Sequence, residues 1–248
     1  AFITSIFFHN SYCQIKKAYE FDFKEDIIWL TNKEFKIFVS TKKGVYTLNN
    51  VQVINTKDQP PIKLSPLGRE LISVENDKIS SFEIREELNL NNEINLDYKQ
   101  EIKKIISDKY GRKYFLLTDS GEIFSHKVEK EISKREKIYD SGIIDFNWSS
   151  NLEQIFAITK EELLSINDGK VLKSLKIINP LSSVFPVERL YKVVLGHNDG
   201  SISLVNQNLE GDLDEYKVSD SKITSIVSHP KDPHLFIGNS NGELYIIN

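Results

Sequence analysis

The chain has 248 residues, about 40% hydrophobic and 27% charged, with a formal net charge of −4. This balance suits a globular protein able to bury a large core, and it excludes a global basic field drawing the molecule to nucleic acid or to an anionic membrane. One cysteine, Cys13, excludes an internal disulfide and points to a reducing nuclear or cytoplasmic compartment, and no apolar run reaches the ~18 to 20 residues of a membrane-spanning helix.

From the amino terminus, AFITSIFFHN and QIKKAYEFDF both read as strands. A repeated phrase follows them. In chain order its copies are FKIFVSTKKGVYTLNN, RELISVENDKISSFEI, RKYFLLTDSGEIFSHKV, LEQIFAITKEELLSIND, LYKVVLGHNDGSISLVNQ and PHLFIGNSNGELYIIN. Their turn residues, Gly44, Asp77, Gly121, Glu161, Gly200 and Gly242, are spaced by 33, 44, 40, 39 and 42 residues. A period of about 40 is that of propeller blades.

Each copy reads as a hairpin. Five and six residues before the turn, both positions are apolar in every copy: Val39 and Phe38, Ile72 and Leu71, Leu116 and Phe115, Phe156 and Ile155, Leu195 and Val194, Ile237 and Phe236. Short continuous apolar runs bounded by turn signals indicate strands buried on both faces. After the turn, alternation resumes, as in Ile202 and Leu204 or Leu244 and Ile246. A further strand precedes each hairpin (DIIWLTN, PIKLSP, EIKKIISD, GIIDFNWSS, PLSSVFPVE, KITSIVSHP), and another follows the first five (VQVINT, EINLDY, EKIYDS, VLKSLKI, DEYKVS).

Four strands per repeat give an all-β β-propeller of four-stranded antiparallel blades, with six blades expected and seven as the alternative. The expected organisation is one domain over 1–248: closing strands in 1–26, then six repeats in 27–248. The sixth repeat has no fourth strand of its own. Its open edge would expose unpaired backbone groups, so IKKAYEFDF is expected to complete it, with a partner strand as the alternative.

The segment ITSIVSHPKDPHLFIGNSNGELYIIN resembles a WD-repeat: an apolar first strand, a Pro-bearing turn, a buried second strand, a Gly turn and a third strand. The resemblance departs at the defining Trp-Asp pair, where the copies carry Asn49-Asn50, Phe82-Glu83, His126-Lys127, Ile166-Asn167, Val205-Asn206 and Ile247-Asn248. It implies a divergent WD-like propeller in which an early strand closes the last blade.

Reactive constellations are few. His229, Asp232 and His234 in HPKDPH lack a further ligand for zinc and read as an interstrand turn. His197 could serve as a general base but reads as a polar hairpin tip, and Cys13 has no identifiable activating base. TDSGEIF matches an aspartate box only faintly and once, and the sequon Asn147-Trp148-Ser149 falls in a strand. No cofactor and no metal ligand set is assigned. The mixed-charge KVEKEISKREK, Lys127 to Lys137, reads as a solvated excursion between strands or a docking surface, and NLEGDLDEY as an acidic loop.

These features point to a non-enzymatic protein-interaction scaffold, a subunit of a multisubunit eukaryotic complex, intracellular and either nuclear or cytoplasmic. Its partners are expected to be proteins or peptides, with no membrane insertion and nucleic acid not the primary partner. A propeller enzyme such as a glycoside hydrolase, or an RNA- or DNA-binding propeller, is the alternative. Turns joining second and third strands should share one face, which makes Lys42, Lys43, Asn76, Asp119, His197 and Asn239 the candidate partner-binding residues.

Overall fold

The computed structural model describes residues 17–33, 36–42, 44–47, 52–55, 65–67, 70–75, 78–84, 88–95, 100–108, 113–129, 132–229 and 233–247. They form six four-stranded antiparallel sheets. Five are consecutive meanders. Blade I is β2 (Trp29–Lys33), β3 (Lys36–Thr41), β4 (Gly44–Thr47) and β5 (Gln52–Asn55). Blade II is β6 (Ser65–Leu67), β7 (Glu70–Glu75), β8 (Lys78–Ile84) and β9 (Leu88–Asn95). Blade III is β10 (Ile102–Ser107), β11 (Lys113–Thr118), β12 (Ile123–Glu129) and β13 (Ile132–Tyr139). Blade IV is β14 (Asp145–Ser149), β15 (Gln154–Ile158), β16 (Glu162–Asn167) and β17 (Lys170–Lys176). Blade V is β18 (Leu181–Val187), β19 (Lys192–His197), β20 (Ser201–Asn206) and β21 (Asp214–Lys217).

Blade VI combines both ends of the described chain. Strands β22 (Ile223–Ser228), β23 (Leu235–Asn239) and β24 (Glu243–Ile247) are completed by β1 (Lys17–Asp22), which pairs antiparallel with β24, Phe21 opposite Leu244. The first strands of the blades pack in the cyclic order β2, β6, β10, β14, β18, β22 and back to β2, so the ring is closed. Among the described residues no helix is long and apolar enough to cross a membrane.

The second strands of blades III to VI are buried on both faces: every residue of β15 and β23 is buried, as are all but the first of β11 and β19. Each is the middle of a wedge with a neighbouring blade on either side. The apolar clusters accordingly lie between blades. Phe115, Leu117 and Ile123 of blade III meet Phe146, Ile155 and Ala157 of blade IV. Phe156 and Leu163 meet Leu181, Val193 and Leu195 across the next seam. Val194 and Ile202 meet Ile226 and Ile237, and Phe236 and Leu244 meet Ile27, Leu30 and Val39.

One expectation is corrected here. KVEKEISKREK is no excursion: β12 runs to Glu129, β13 begins at Ile132, and the charged residues pair as His126 with Arg135 and Lys127 with Lys134. An outermost strand has little core to face, so charged side chains fill its positions without breaking the ladder, and apolar alternation fails to mark it.

Candidate functional site

Because strands alternate in direction within each sheet, turns joining second to third strands lie on the same face as the links from one blade to the next. Hydrogen bonds join the two sets. In blade III the Asp119 amide donates to the Glu101 carbonyl at 2.9 Å, and the Ile143 amide of the following link donates to the Gly121 carbonyl at 3.2 Å. In blade IV the Ile144 amide reaches the Ile158 carbonyl at 2.8 Å and the Ile177 amide the Glu161 carbonyl at 2.7 Å. In blade V the Asn198 amide reaches Pro180 at 3.0 Å, and the Ser219 amide reaches Gly200 at 3.0 Å. In blade VI the Ser240 amide reaches Lys222 at 2.9 Å, and the Phe23 amide reaches Gly242 at 2.9 Å. Every turn of these four blades is thus held between the links on its two sides.

Two glycines show how tight this contact is. Gly200 and Gly242 have φ of +87° and +82°, and a β-carbon on either would lie 2.2 Å from the Ser219 carbonyl oxygen or 2.0 Å from that of Glu25. Only glycine satisfies both the left-handed backbone and the close approach of the link.

A polar residue at or just past the end of the second strand ties the turn region to its surroundings. Thr118 Oγ1 accepts the Glu122 amide at 3.1 Å, and Thr159 Oγ1 accepts that of Glu162 at 3.1 Å. Asn239 Oδ1 accepts the amides of Asn241 and Glu243 at 3.0 and 2.9 Å, while its Nδ2 donates to Ser219 Oγ at 2.7 Å and to the Glu243 carboxylate. In blade V the corresponding His197 faces the Asn179 carbonyl with Nδ1 at 3.2 Å and Ser203 Oγ with Nε2 at 2.6 Å. The carbonyl can only accept, so Nδ1 carries a proton.

Of the six candidate residues, Asn239 and His197 are completely buried, Asn239 bound within its turn and His197 between a link carbonyl and a third-strand hydroxyl. Lys42 and Asp119 are exposed on the same face. Lys43 and Asn76 lie outside the described residues, as do Cys13 and Asp232. Exposed turn residues that were not among the candidates include Ser120, Lys160, Glu161, Asn198, Asp199 and Asn241. Their signal is positional, since each stands one or two residues past the bracing side chain.

Carboxylates secure the turns further. Burial opposes ionisation of Asp199, but hydrogen bonds from the Ser201 amide and hydroxyl and from Asn179, with the Lys217 charge, outweigh it and hold the carboxyl at about 2. Hydrogen bonds from Lys137 and then Gln100 hold Glu122 at about 2.

The axis of the ring holds an ion pair. Lys104 of β10, 4% exposed, donates to Asp145 Oδ1 of β14 at 2.7 Å, and its ammonium sits 4.3 Å from the ring centroid of Trp29 on β2. Asp145 Oδ2 accepts the Val184 amide of β18 at 2.9 Å. Side chains and backbone of blades I, III, IV and V thus meet there. Burial pushes the Lys104 amine below its ordinary value, against the charge and hydrogen bond of Asp145. With its ammonium fixed between carboxylate and indole, Lys104 ties strands together across the axis.

Other sequence features resolve as structure. Trp148 of the sequon stacks on Phe115 at 4.8 Å, and Ser149 is fully buried. The His229 amide donates to the His234 carbonyl at 2.9 Å, closing the turn between β22 and β23. Among the described residues no three His, Cys, Asp or Glu side chains gather as a metal site would require.

No family model matches the chain, and no curated protein matches it. Among solved structures, the β-propeller domain of Cps50 (Swd1) from Myceliophteria thermophila is similar, with a TM-score of 0.64 at 10% identity over 94% of this chain and 99% of that one. The likeness shows the fold, a β-propeller of four-stranded antiparallel blades.

Proposed function

We propose that this propeller is a non-enzymatic protein-interaction scaffold, a subunit of a multisubunit intracellular assembly whose partner docks on the turn face. The observation that carries this reading is the double attachment of the turns of blades III to VI to their flanking links, together with the bracing side chains beneath. It presents exposed Asp119, Asn198, Asp199 and Asn241 on a backbone already ordered, so a partner need not order it on binding, and exposed Lys42 of blade I lies on the same face. The set mixes cationic, anionic and amide groups, which suits a polypeptide rather than a repeating polyanion.

The test is tagged purification from native cells, comparing the natural chain with a Lys42→Glu, Asp119→Lys double variant. Both positions are exposed, so the variant is expected to fold as before, checked by circular dichroism, and to lose a stoichiometric protein partner. Unchanged partners in the variant, or stabilisation of the isolated chain by sugars or nucleotides in a thermal-shift screen, would overturn the reading.

A further inference from the structure

Strand β17 is the last strand of blade IV, at the end of the order β14-β15-β16-β17, and among the described residues no further strand lies against its outer edge. Six of its seven residues are exposed and none is buried. The corresponding edges of the neighbouring blades differ: β21 has only four residues, and β13 tucks Ile138 into the core. A strand at the end of a sheet is hydrogen-bonded on one side only, so alternate residues turn an N–H and a C=O outward without a partner. Among the described residues no turn, link or side chain outside the sheet pairs with the backbone of Lys170–Lys176.

The charge of this edge has one sign. Lys170, Lys173 and Lys176 are three of the seven residues, and none of the seven is acidic. Lys173 pairs with the Glu210 carboxylate of blade V at 2.5 Å. Lys170 and Lys176 make no ion pair among the described residues, although Glu162 stands opposite Lys176 and Asp168 lies two residues before Lys170. Lysines along an edge repel a second copy of the same strand and discourage neutral strands, which leaves an acidic strand as the complement.

There is room on both sides of the edge. Val171, 47% exposed, borders a groove of about 440 Å³ shared with Tyr139 and Asp140, and Leu172, 55% exposed, borders one of about 500 Å³ shared with Tyr191 and Asn208 of blade V. A bulge at Leu172 bends the strand, and residues 173–176 pair regularly with β16 beyond it.

We infer that β17 accepts an acidic, extended segment of a partner protein as a fifth strand of blade IV. Backbone hydrogen bonds hold the segment along the open edge, acidic side chains at its two ends meet Lys170 and Lys176, and the side chains between them alternate toward the two grooves. Only a polypeptide carries the matching ladder of donors and acceptors; a nucleic acid or a lipid would neutralise the lysines and leave the edge unpaired. The edge lies on the girdle of the ring, away from the turn face, and shares with the proposed function only the premise of a protein partner.

The test uses the purified chain at low salt with the synthetic peptide EVTVTVE, the control KVTVTVK, and EVTVTVE methylated at every backbone nitrogen. EVTVTVE is expected to bind and to slow amide hydrogen exchange within Lys170–Lys176, while neither KVTVTVK nor the methylated peptide does so. The Lys170→Glu, Lys176→Glu double variant, at exposed positions and checked by circular dichroism, should lose about tenfold in affinity for EVTVTVE and gain binding of KVTVTVK. Lys42→Glu on the turn face should leave EVTVTVE binding unchanged, which separates this edge from that face and from a general charge effect. Absence of protection in β17, equal binding of the methylated peptide, or equal weakening by Lys42→Glu would overturn the inference. So would self-association of the natural chain abolished by the double variant, which would give the edge to an acidic strand of a second copy.

Discussion

At the scale of single residues, the turn face depends on side chains that look like surface chemistry and act as framework. Three residues before Gly121, Gly200 and Gly242 stand Thr118, His197 and Asn239, each with its polar atoms directed into its own blade or the adjoining links. Asp199 and Glu122 add charged hydrogen bonds. Both carboxyls lie near 2 when folded, below their unfolded values, so the folded state binds fewer protons. Their contribution is complete above about pH 4.5 and is lost as pH falls toward 2. The urea midpoint should decline over that window, and the Asp199→Asn, Glu122→Gln double variant should start lower at pH 7 and decline less. Parallel curves would show that the two groups do not carry the acid sensitivity. That Asn239 and His197 are buried could not be seen in their residue types. A polar residue at a hairpin has the same sequence signature whether its oxygen or nitrogen meets water or the backbone two residues on.

At the scale of elements, strand order is governed by what each strand faces. Second strands, between two blades, are continuous apolar runs, and the repeat was readable from them. Fourth strands have one exposed edge and varied composition: β17 is exposed at six of its seven positions, and four of the eight residues of β13 are charged. That is why KVEKEISKREK concealed a hairpin. The closing strand β1 was legible because the sixth repeat lacked a fourth strand, which left an unpaired edge on β24. A chain beginning at Phe23 should lose the β1–β24 ladder and melt lower by on the order of 10 °C, with earlier aggregation. A peptide of sequence KAYEFD added in excess should recover part of the loss. An unchanged melting temperature would mean that blade VI does not depend on β1.

At the scale of the whole molecule, closure brings together residues far apart in the chain. Lys104, Asp145, Trp29 and the Val184 amide come from four blades and meet only because the ring is closed. Removing one member of a buried pair is worse than never having had it, because the other charge remains desolvated. Asp145→Ala, which strands Lys104, should therefore cost about 3 to 5 kcal/mol in chemical unfolding, and Lys104→Met distinctly less, since Asp145 is less buried and keeps the Val184 amide. Equal costs would mean that the pair contributes as surface charges do.

Some properties of this protein are local and periodic, and these the sequence determined alone: the 40-residue repeat, the twice-buried second strands, the glycine turns and the need for a closing strand. Each follows from the alternation of side chains along a strand or from the backbone freedom of glycine, and neither depends on where the rest of the chain lies. Tertiary structure decided the axial ion pair and the attachment of turns to links. Both join residues of different blades, whose separation in sequence carries no record of their distance in space.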